Sequence, residues 1–226
     1  MTVRFSLLLI HIFCSFSSVY AAVYYVSPDG NDNFPGTISS PWKTISRSST
    51  TLQPGDILYI REGTYQEEIF PPCSGTFNAP ITYKNYPGET PVITNVTTAI
   101  NLSNCLWIII DGLRVEDVER WVSLTNNSTH NIVKNCYFNH ASAWQGILLS
   151  SYSYYNQILN NTLIQNPSEP GEEGIGIKDD SKYNLIEGNT IQGCSQAGIS
   201  LRPMADYNII RNNTLFDNSC LLYTSP

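Results

Sequence analysis

The sequence carries few charges and no basic excess. Of its 226 residues 14% are charged, with 12 Lys and Arg against 19 Asp and Glu and a formal net charge of −7. An acidic chain without a basic cluster attracts nucleic acid poorly, so we expect no nucleic-acid partner. The six cysteines form no Cys-x-x-Cys pair, which argues against a zinc site. The sequence leaves open whether they are buried thiols or include a disulfide.

Long apolar runs are also absent after the N-terminus. The first run, residues 5–19, follows Arg4 and precedes Ala21, which is typical of a secretory signal peptide over residues 1–21. It is shorter than the roughly 20 residues of a membrane span. Cleavage after Ala21 would leave 11 basic and 19 acidic residues, a net charge of −8. We therefore expect a secreted protein, extracellular or periplasmic, with no membrane span, and a monomer.

The sequence shows no helical periodicity, but two sets of similar segments recur along it, and we call each set a column. The first column contains short Asn-led segments and the second contains segments led by Trp or Gly. Both advance in steps of 25, 28 and 24 residues, and a shared period of this length is typical of a solenoid. The first column begins at Asn131, Asn156, Asn184 and Asn208, and the second at Trp121, Gly146, Gly174 and Gly198.

Within each column the apolar residues alternate, which indicates strands rather than helices. The second column places Val122, Ile147, Ile175 and Ile199 at one inward position and Leu124, Leu149, Ile177 and Leu201 at the next. The first column stacks Val133, Ile158, Ile186 and Ile210, and then Phe138, Leu163, Ile191 and Leu215. The predicted fold is therefore all-β, a right-handed parallel β-helix with rungs of about 24–28 residues.

Asparagine recurs at one turn of the repeat. Cys136, Asn161, Asn189 and Asn213 share a position where Asn suits a left-handed backbone and stacked amides can hydrogen-bond from rung to rung. This resembles the asparagine ladder of β-helices of the pectate-lyase type. Residues 24–65 resemble the N-terminal cap of secreted β-helix proteins that act on polysaccharides, which implies a carbohydrate-active protein.

These patterns divide the chain into a signal peptide (1–21), an N-terminal cap (22–56), a parallel β-helix (57–219) and a tail (220–226). In the cap, residues 41–52 predict a short helix with Ser40 as its N-cap. The tail breaks the repeat, and we expect it to be a non-native appendage on a β-helix truncated at its C-terminus.

Two cations are predicted to face outward on neighbouring rungs. Lys178 and Arg202 occupy the same outward position of the second column, about 5 Å apart along the axis by strand spacing. Acidic residues flank them: Glu172 and Glu173 end an insertion before the strand, and Asp179 and Asp180 follow it. Insertions in solenoids cluster on the binding face, so we expect a site here.

Residues 172–206 resemble the alginate lyase and chondroitinase B family, polysaccharide lyase family six. The resemblance implies β-elimination on an acidic glycan, with Lys178 as the base, Arg202 assisting it, and nearby acids binding Ca²⁺. The candidate metal ligands are Glu172, Glu173, Asp179 and Asp180. The chain departs from the family after Arg202, where it has Pro-Met-Ala instead of His-Gly.

Other interpretations stay open at this stage. Lys178 and Arg202 could be solvated residues in surface ion pairs, which stabilise little; their partners would be Asp179, Asp180, Glu173 or Asp206. A glycoside hydrolase on the same scaffold would need two carboxylates from Glu173, Asp179, Asp180 and Asp206. A non-catalytic carbohydrate-binding protein is a third alternative, because the fold alone does not fix function. Several aromatic residues could stack on sugar rings or pack in turns: Trp121, Trp144, Tyr152, Tyr154 and Tyr155.

Overall fold

The chain coils through three parallel sheets in a computed structural model that describes residues 21–72, 74–166 and 173–224. The first sheet contains β1 (Val23–Val26), β2 (Ile57–Ile60), β4 (Ile81–Asn85), β7 (Ile108–Asp111), β10 (Ile132–Lys134), β13 (Gln157–Leu159), β16 (Leu185–Glu187) and β19 (Ile209–Arg211). The second contains β3 (Thr64–Tyr65), β5 (Val92–Thr94), β8 (Arg114–Val118), β11 (Tyr137–Ala141), β14 (Thr162–Ile164), β17 (Thr190–Gln192) and β20 (Thr214–Phe216). The third contains β6 (Thr98–Asn101), β9 (Arg120–Leu124), β12 (Gln145–Leu149), β15 (Glu173–Ile177), β18 (Ala197–Leu201) and β21 (Cys220–Thr224).

The strand register confirms the two repeating columns. In the first sheet Val133 pairs with Ile158, and Ile158 pairs with Ile186. In the third sheet Ile147 pairs with both Val122 and Ile175. Each coil visits the first, second and third sheets in turn, and we call one such coil a rung. The protein is therefore the parallel β-solenoid that the repeats predict.

The interior is filled by the alternating aliphatic residues together with a few large aromatic side chains. Trp121 is fully buried and stacks on Phe138 at a ring-centroid distance of 5.5 Å. On the next rung, a Cβ built at Gly146 would lie 2.3 Å from the Trp121 ring. A large side chain on one rung thus requires a glycine on the next, and Trp121 is unavailable to a sugar.

Asparagine ladders run along two corners. Between the first and second sheets, Asn161 donates to the Asn189 side chain and Asn189 to Asn213, both at 3.0 Å, which confirms the predicted ladder. A second ladder lies between the third and first sheets. Its amide-to-amide hydrogen bonds of 3.0, 3.1 and 3.0 Å join Asn131, Asn156, Asn184 and Asn208.

The left-handed backbone at the first of these corners falls one residue earlier than predicted. Asn160 has φ 53° and Gly188 has φ 71°, whereas Asn161 and Asn189 are absent from the positive-φ residues. Two neighbouring residues therefore have different roles at this corner. One residue turns the backbone, and the next turns its amide inward to bond the adjacent rungs.

The N-terminal helix differs from the prediction in its start. A 3₁₀ helix spans Ile45–Thr50, and its N-cap is Thr44 rather than Ser40, because the Thr44 hydroxyl accepts a hydrogen bond from the Arg47 backbone N–H. Asp32 fixes this start by accepting hydrogen bonds from the Thr44 N–H and hydroxyl at 2.9 and 2.8 Å. Pro41 precedes the helix instead of opening it.

At the two ends of the described chain, strands extend the sheets beyond the predicted β-helix bounds. β1, in the segment assigned to the cap, pairs in parallel with β2. β21, in the segment assigned to the tail, pairs in parallel with β18, although its side chains are exposed. Apart from residue 21, the predicted signal peptide lies outside the described residues.

Three cysteines of the described chain lie in its interior. Cys136 is a buried free thiol, and burial raises its pKa to about 12. Cys105 and Cys194 are also buried, and Cys73 lies outside the described residues. Across the described ranges, no helix is long and apolar enough to span a membrane.

Asp111 should make the solenoid more stable at neutral than at acidic pH. Its side chain is 12% exposed, and its carboxylate accepts hydrogen bonds from Asn135 at 2.8 Å and Lys84 at 3.1 Å. Burial alone raises the pKa of Asp111, but these hydrogen bonds and the charges of Lys134 and Lys84 outweigh it and lower the pKa. The stabilisation is therefore present above the unfolded pKa of about 4 and is lost as pH falls through the folded pKa.

The test is urea unfolding of the wild type and Asp111→Asn at neutral and acidic pH. We expect the substitution to lower the free energy of unfolding by about 1–3 kcal/mol at neutral pH, because two lysines lose their shared partner. The difference between the two proteins should shrink in acid. A difference that stays constant across pH would show that the charge of Asp111 does not stabilise the fold.

Candidate functional site

The two predicted catalytic residues lie on adjacent rungs of the third sheet. Lys178 directly follows β15 and Arg202 directly follows β18. Ile177 pairs with Leu201, and the Arg202 N–H donates to the Ile177 carbonyl at 2.9 Å. The ammonium of Lys178 lies 4.0 Å from the Asp179 carboxylate, and its side chain is 37% exposed. The structure thus brings the two backbones together as predicted.

The guanidinium of Arg202 is held by Glu173. The two side chains form an ion pair, in which the carboxylate is 2% and the guanidinium side chain 31% exposed. The other oxygen of Glu173 accepts hydrogen bonds from the Ser200 hydroxyl at 2.6 Å and the Gln145 amide at 2.9 Å. Three donors on one buried carboxylate fix its orientation, and through it the direction of Arg202.

Gly176 provides the space for this arrangement. A Cβ built there would lie 2.4 Å from Cγ of Gln145 and 3.2 Å from Oε2 of Glu173. Since the φ of Gly176 lies outside the left-handed range, the glycine is required by close packing rather than by backbone conformation. The long side chains of Gln145 and Glu173 therefore lie flat over the outer face of the sheet.

Of the four predicted metal ligands, the three that the structure describes do not form one cluster. Glu173 is at the start of β15, whereas Asp179 and Asp180 follow its other end. Asp180 binds Lys182 at 2.6 Å, and Asp206 lies 3.4 Å from the same ammonium. Glu172 lies outside the described residues. Within the described ranges, no group of three or more His, Cys, Asp or Glu side chains is placed to hold a metal ion.

Beside the Glu173–Arg202 pair the surface forms a cavity of about 440 Å³. Trp144 lines it from the preceding rung and is 59% exposed. An exposed indole next to polar groups is a surface on which a sugar ring can stack. Of the predicted aromatic contacts, Trp144 is therefore the one that the structure places beside Arg202.

Tyr155 belongs instead to a stack of rings along another corner. Its ring centroid lies 5.2 Å from His130 on one side and 5.2 Å from Tyr183 on the other. The stack continues to Trp107 at 4.3 Å from His130 and to Tyr207 at 5.2 Å from Tyr183. Both faces of Tyr155 are covered, so only its edge and hydroxyl can meet a ligand.

Comparison with known proteins places the chain in a family. Residues 24–219 match the family described as "Pel9A-like, right handed beta helix region". The chain belongs to this Pel9A-like β-helix family. The match covers the predicted β-helix, and the family description confirms the predicted right-handed coil.

Individual relatives agree with the family. The chain is 28% identical over 197 residues to pectate lyase PEL9 of Emericella nidulans, covering 79% of this chain and 48% of that protein. It spans less than half the length of the curated relatives it matches. The crystal structure of pectate lyase Pel9A superposes with a TM-score of 0.74 at 20% identity, covering 89% of this chain and 55% of that one. A lacto-N-biosidase from Eubacterium ramulus has a TM-score of 0.69 at 16% identity, covering 80% and 43%. At these identities both structures support the fold alone.

One functional candidate of this Pel9A-like protein escaped the sequence analysis. Arg120 opens β9, pairs in register with Thr98, and donates from Nε to the Gln145 carbonyl at 3.2 Å. It was missed because strict alternation puts Arg120 and Val122 on the same face. In the structure both Trp121 and Val122 are buried, so the alternation is interrupted between them. The recurring glycine in the second column was the available signal for that interruption.

Proposed function

We propose that this protein cleaves uronate-containing polysaccharides by β-elimination on the outer face of the third sheet. The observation that carries the proposal is the position of an exposed Lys178 directly after β15 and of Arg202 directly after β18 on the next rung, with the guanidinium of Arg202 held by the buried Glu173. Membership of the Pel9A-like family supports it. The resemblance of residues 172–206 to polysaccharide lyase family six stays a prediction.

The reaction needs a base and a positive group. Lys178, in its neutral form, takes the proton from the carbon α to the uronate carboxylate. The electron pair forms a carbon–carbon double bond, and the β carbon–oxygen bond to the leaving sugar breaks, with water supplying a proton to that oxygen. The N–H groups of Arg202 neutralise the carboxylate as charge builds on it. Glu173 holds Arg202 in place, and Trp144 offers a stacking surface.

Ca²⁺ is a proposed cofactor of the reaction, bound by acidic side chains. Acidic side chains are the oxygen ligands that Ca²⁺ prefers. Of the four predicted ligands, Glu173 is engaged by Arg202 and Asp180 by Lys182. The contribution of the ion is measured by comparing the rate of elimination with and without added Ca²⁺.

The test is ultraviolet absorbance of the unsaturated product formed from pectate, alginate and chondroitin or dermatan sulfate. We expect Lys178→Ala and Arg202→Ala each to lower the rate by about a hundredfold or more. Lys182→Ala is the matched control, because this nearby lysine is bound by Asp180 and Asp206. It should leave the rate nearly unchanged.

Other outcomes separate the alternatives. New reducing ends without absorbance would mark a glycoside hydrolase, and retention on a glycan without turnover would mark a binding protein. An absorbance rise that neither substitution affects would retain the reaction but reject these two residues.

A further inference from the structure

The third sheet presents a polar row on its outer face. Arg120, Gln145 and Glu173 occupy the first positions of β9, β12 and β15, and we call them the outer row. Gln145 pairs in register with Glu173, its side-chain amide donates to that carboxylate, and its backbone carbonyl accepts from Nε of Arg120. The outer row therefore crosses three consecutive rungs and ends at the carboxylate that holds Arg202.

Arg120 differs from the other cations of this surface in lacking a carboxylate partner. Among the described residues, no carboxylate lies within 4.0 Å of its guanidinium. Four other described arginines each pair with a glutamate: Arg61 with Glu89, Arg114 with Glu116, Arg202 with Glu173, and Arg211 with Glu187. The remaining described arginine, Arg47, lies in the N-terminal cap and contacts Thr50 and the Trp42 ring instead.

Arg120 is also half-buried. Burial lowers the pKa of its guanidinium, and the neighbouring Glu119 carboxylate opposes that shift without forming an ion pair. Partial removal of a charge from water without an opposite charge is unfavourable, and such groups commonly serve a ligand. Among the described residues, the guanidinium donates one hydrogen bond, from Nε, which leaves the terminal nitrogens to bind a carboxylate.

We propose that Arg120 binds the carboxylate of a second uronate in the same polysaccharide chain that Lys178 and Arg202 act on. This inference rests on the proposed function and specifies its substrate as a run of uronates lying along the solenoid axis. Glu173, which holds the Arg202 guanidinium, lies two rungs from Arg120, about 10 Å by strand spacing, so an oligouronide reaches both arginines and a single uronate does not. Exposed Trp144 lies on the rung between them.

The experiment measures kcat/KM on uronide oligomers of increasing length for the wild type and Arg120→Gln. We expect Arg120→Gln to lower kcat/KM about tenfold or more on the long oligomers, since a charge-assisted contact is lost, and to leave the shortest cleaved oligomer unchanged. Arg114→Gln is the matched control, because this arginine opens β8 on the same rung but already pairs with Glu116. It should change neither.

Two further measurements keep the inference testable. Arg120→Lys retains the charge and should keep part of the length dependence, which covers the case in which Arg120→Gln fails to fold. Calorimetric titration of an oligouronide into Lys178→Ala, with and without Arg120→Gln, measures binding without turnover.

The outcomes distinguish this inference from the proposed function. Loss of rate at all lengths alike, or equal oligouronide binding with and without Arg120→Gln, would overturn the role of Arg120 while leaving β-elimination intact. Absence of product absorbance on every polyuronate would instead overturn the proposed function. Binding that Arg120→Gln weakens in a protein without turnover would then assign Arg120 to a carbohydrate-binding protein.

Discussion

Asn156→Ala should destabilise the solenoid by several kcal/mol. The Asn156 side chain donates to the Ser128 carbonyl and the Asn184 side chain, and it accepts from the Asn131 N–H and side-chain amide. Alanine would leave the buried Asn131 N–H without a partner. The other three groups would each lose one hydrogen bond and keep a second. One unsatisfied buried group costs about 1–3 kcal/mol and each of the three other lost hydrogen bonds about 1 kcal/mol, which gives an expected total of about 4 kcal/mol.

The position of Asn156 in the middle of the ladder should also change the shape of the transition. A solenoid is held together by contacts between neighbouring rungs, so weakening one central interface uncouples the two halves. We expect a lower midpoint and a broader or two-step transition in urea, followed by circular dichroism.

Two further variants separate the ladder from general effects of substitution. Asn156→Asp keeps the shape and the acceptor oxygen but loses both donors, so it should be as damaging as alanine at neutral pH. Asn78→Ala removes an exposed amide from a turn and should change the free energy of unfolding by less than about 0.5 kcal/mol. If Asn156→Ala unfolds like Asn78→Ala, the ladder does not stabilise the fold.

The sequence was sufficient for the fold because one physical requirement recurs on every rung. A rung buries its apolar side chains only against its neighbours, so Val133, Ile158 and Ile186 must share a position, and their spacing reveals the coil. The same stacking makes the asparagine ladder visible. The exact residue that takes the left-handed conformation was not visible, because Asn160 and Asn161 are chemically identical and only their place in the turn differs.

The site was predicted less completely, because its geometry depends on departures from the repeat. Lys178 and Arg202 share an outward position, and their alignment was readable from the period. That Arg202 folds back onto Glu173 was not readable, since it requires the interrupted alternation at the start of each third-sheet strand and the absent side chain of Gly176. Glu173 was accordingly predicted as a metal ligand, and its ion pair with one of the two cations was only one of several alternatives.

Glu173→Ala should have the second large effect, on stability and on activity together. The substitution removes a buried carboxylate and leaves Arg202, Ser200 and Gln145 without their common acceptor. Breaking a buried ion pair by removing one partner costs about 3–5 kcal/mol. If Arg202 acts on the substrate, its release should also lower kcat/KM on a polyuronate by about tenfold to a hundredfold, because a misdirected guanidinium no longer neutralises the carboxylate.

Glu173→Gln separates positioning from folding. The amide keeps the size and an acceptor for Ser200, so unfolding should be less affected than in Glu173→Ala, while the ion pair with Arg202 is lost. Glu187→Gln is the matched control, since Glu187 holds Arg211 on the exposed first sheet, and it should leave the rate unchanged.

Calcium titration then decides between the two roles predicted for Glu173. If Glu173 is a metal ligand, Glu173→Gln should weaken Ca²⁺ binding, and a higher Ca²⁺ concentration should restore the rate by mass action. If Glu173 positions Arg202, added Ca²⁺ should not restore the rate. We therefore expect the rate of Glu173→Gln to stay low at every Ca²⁺ concentration, and Arg202→Gln to add little further loss in the double variant, since both substitutions break the same pair. Recovery of the rate at high Ca²⁺ would assign Glu173 to a metal site, and independent losses in the double variant would separate Glu173 from Arg202.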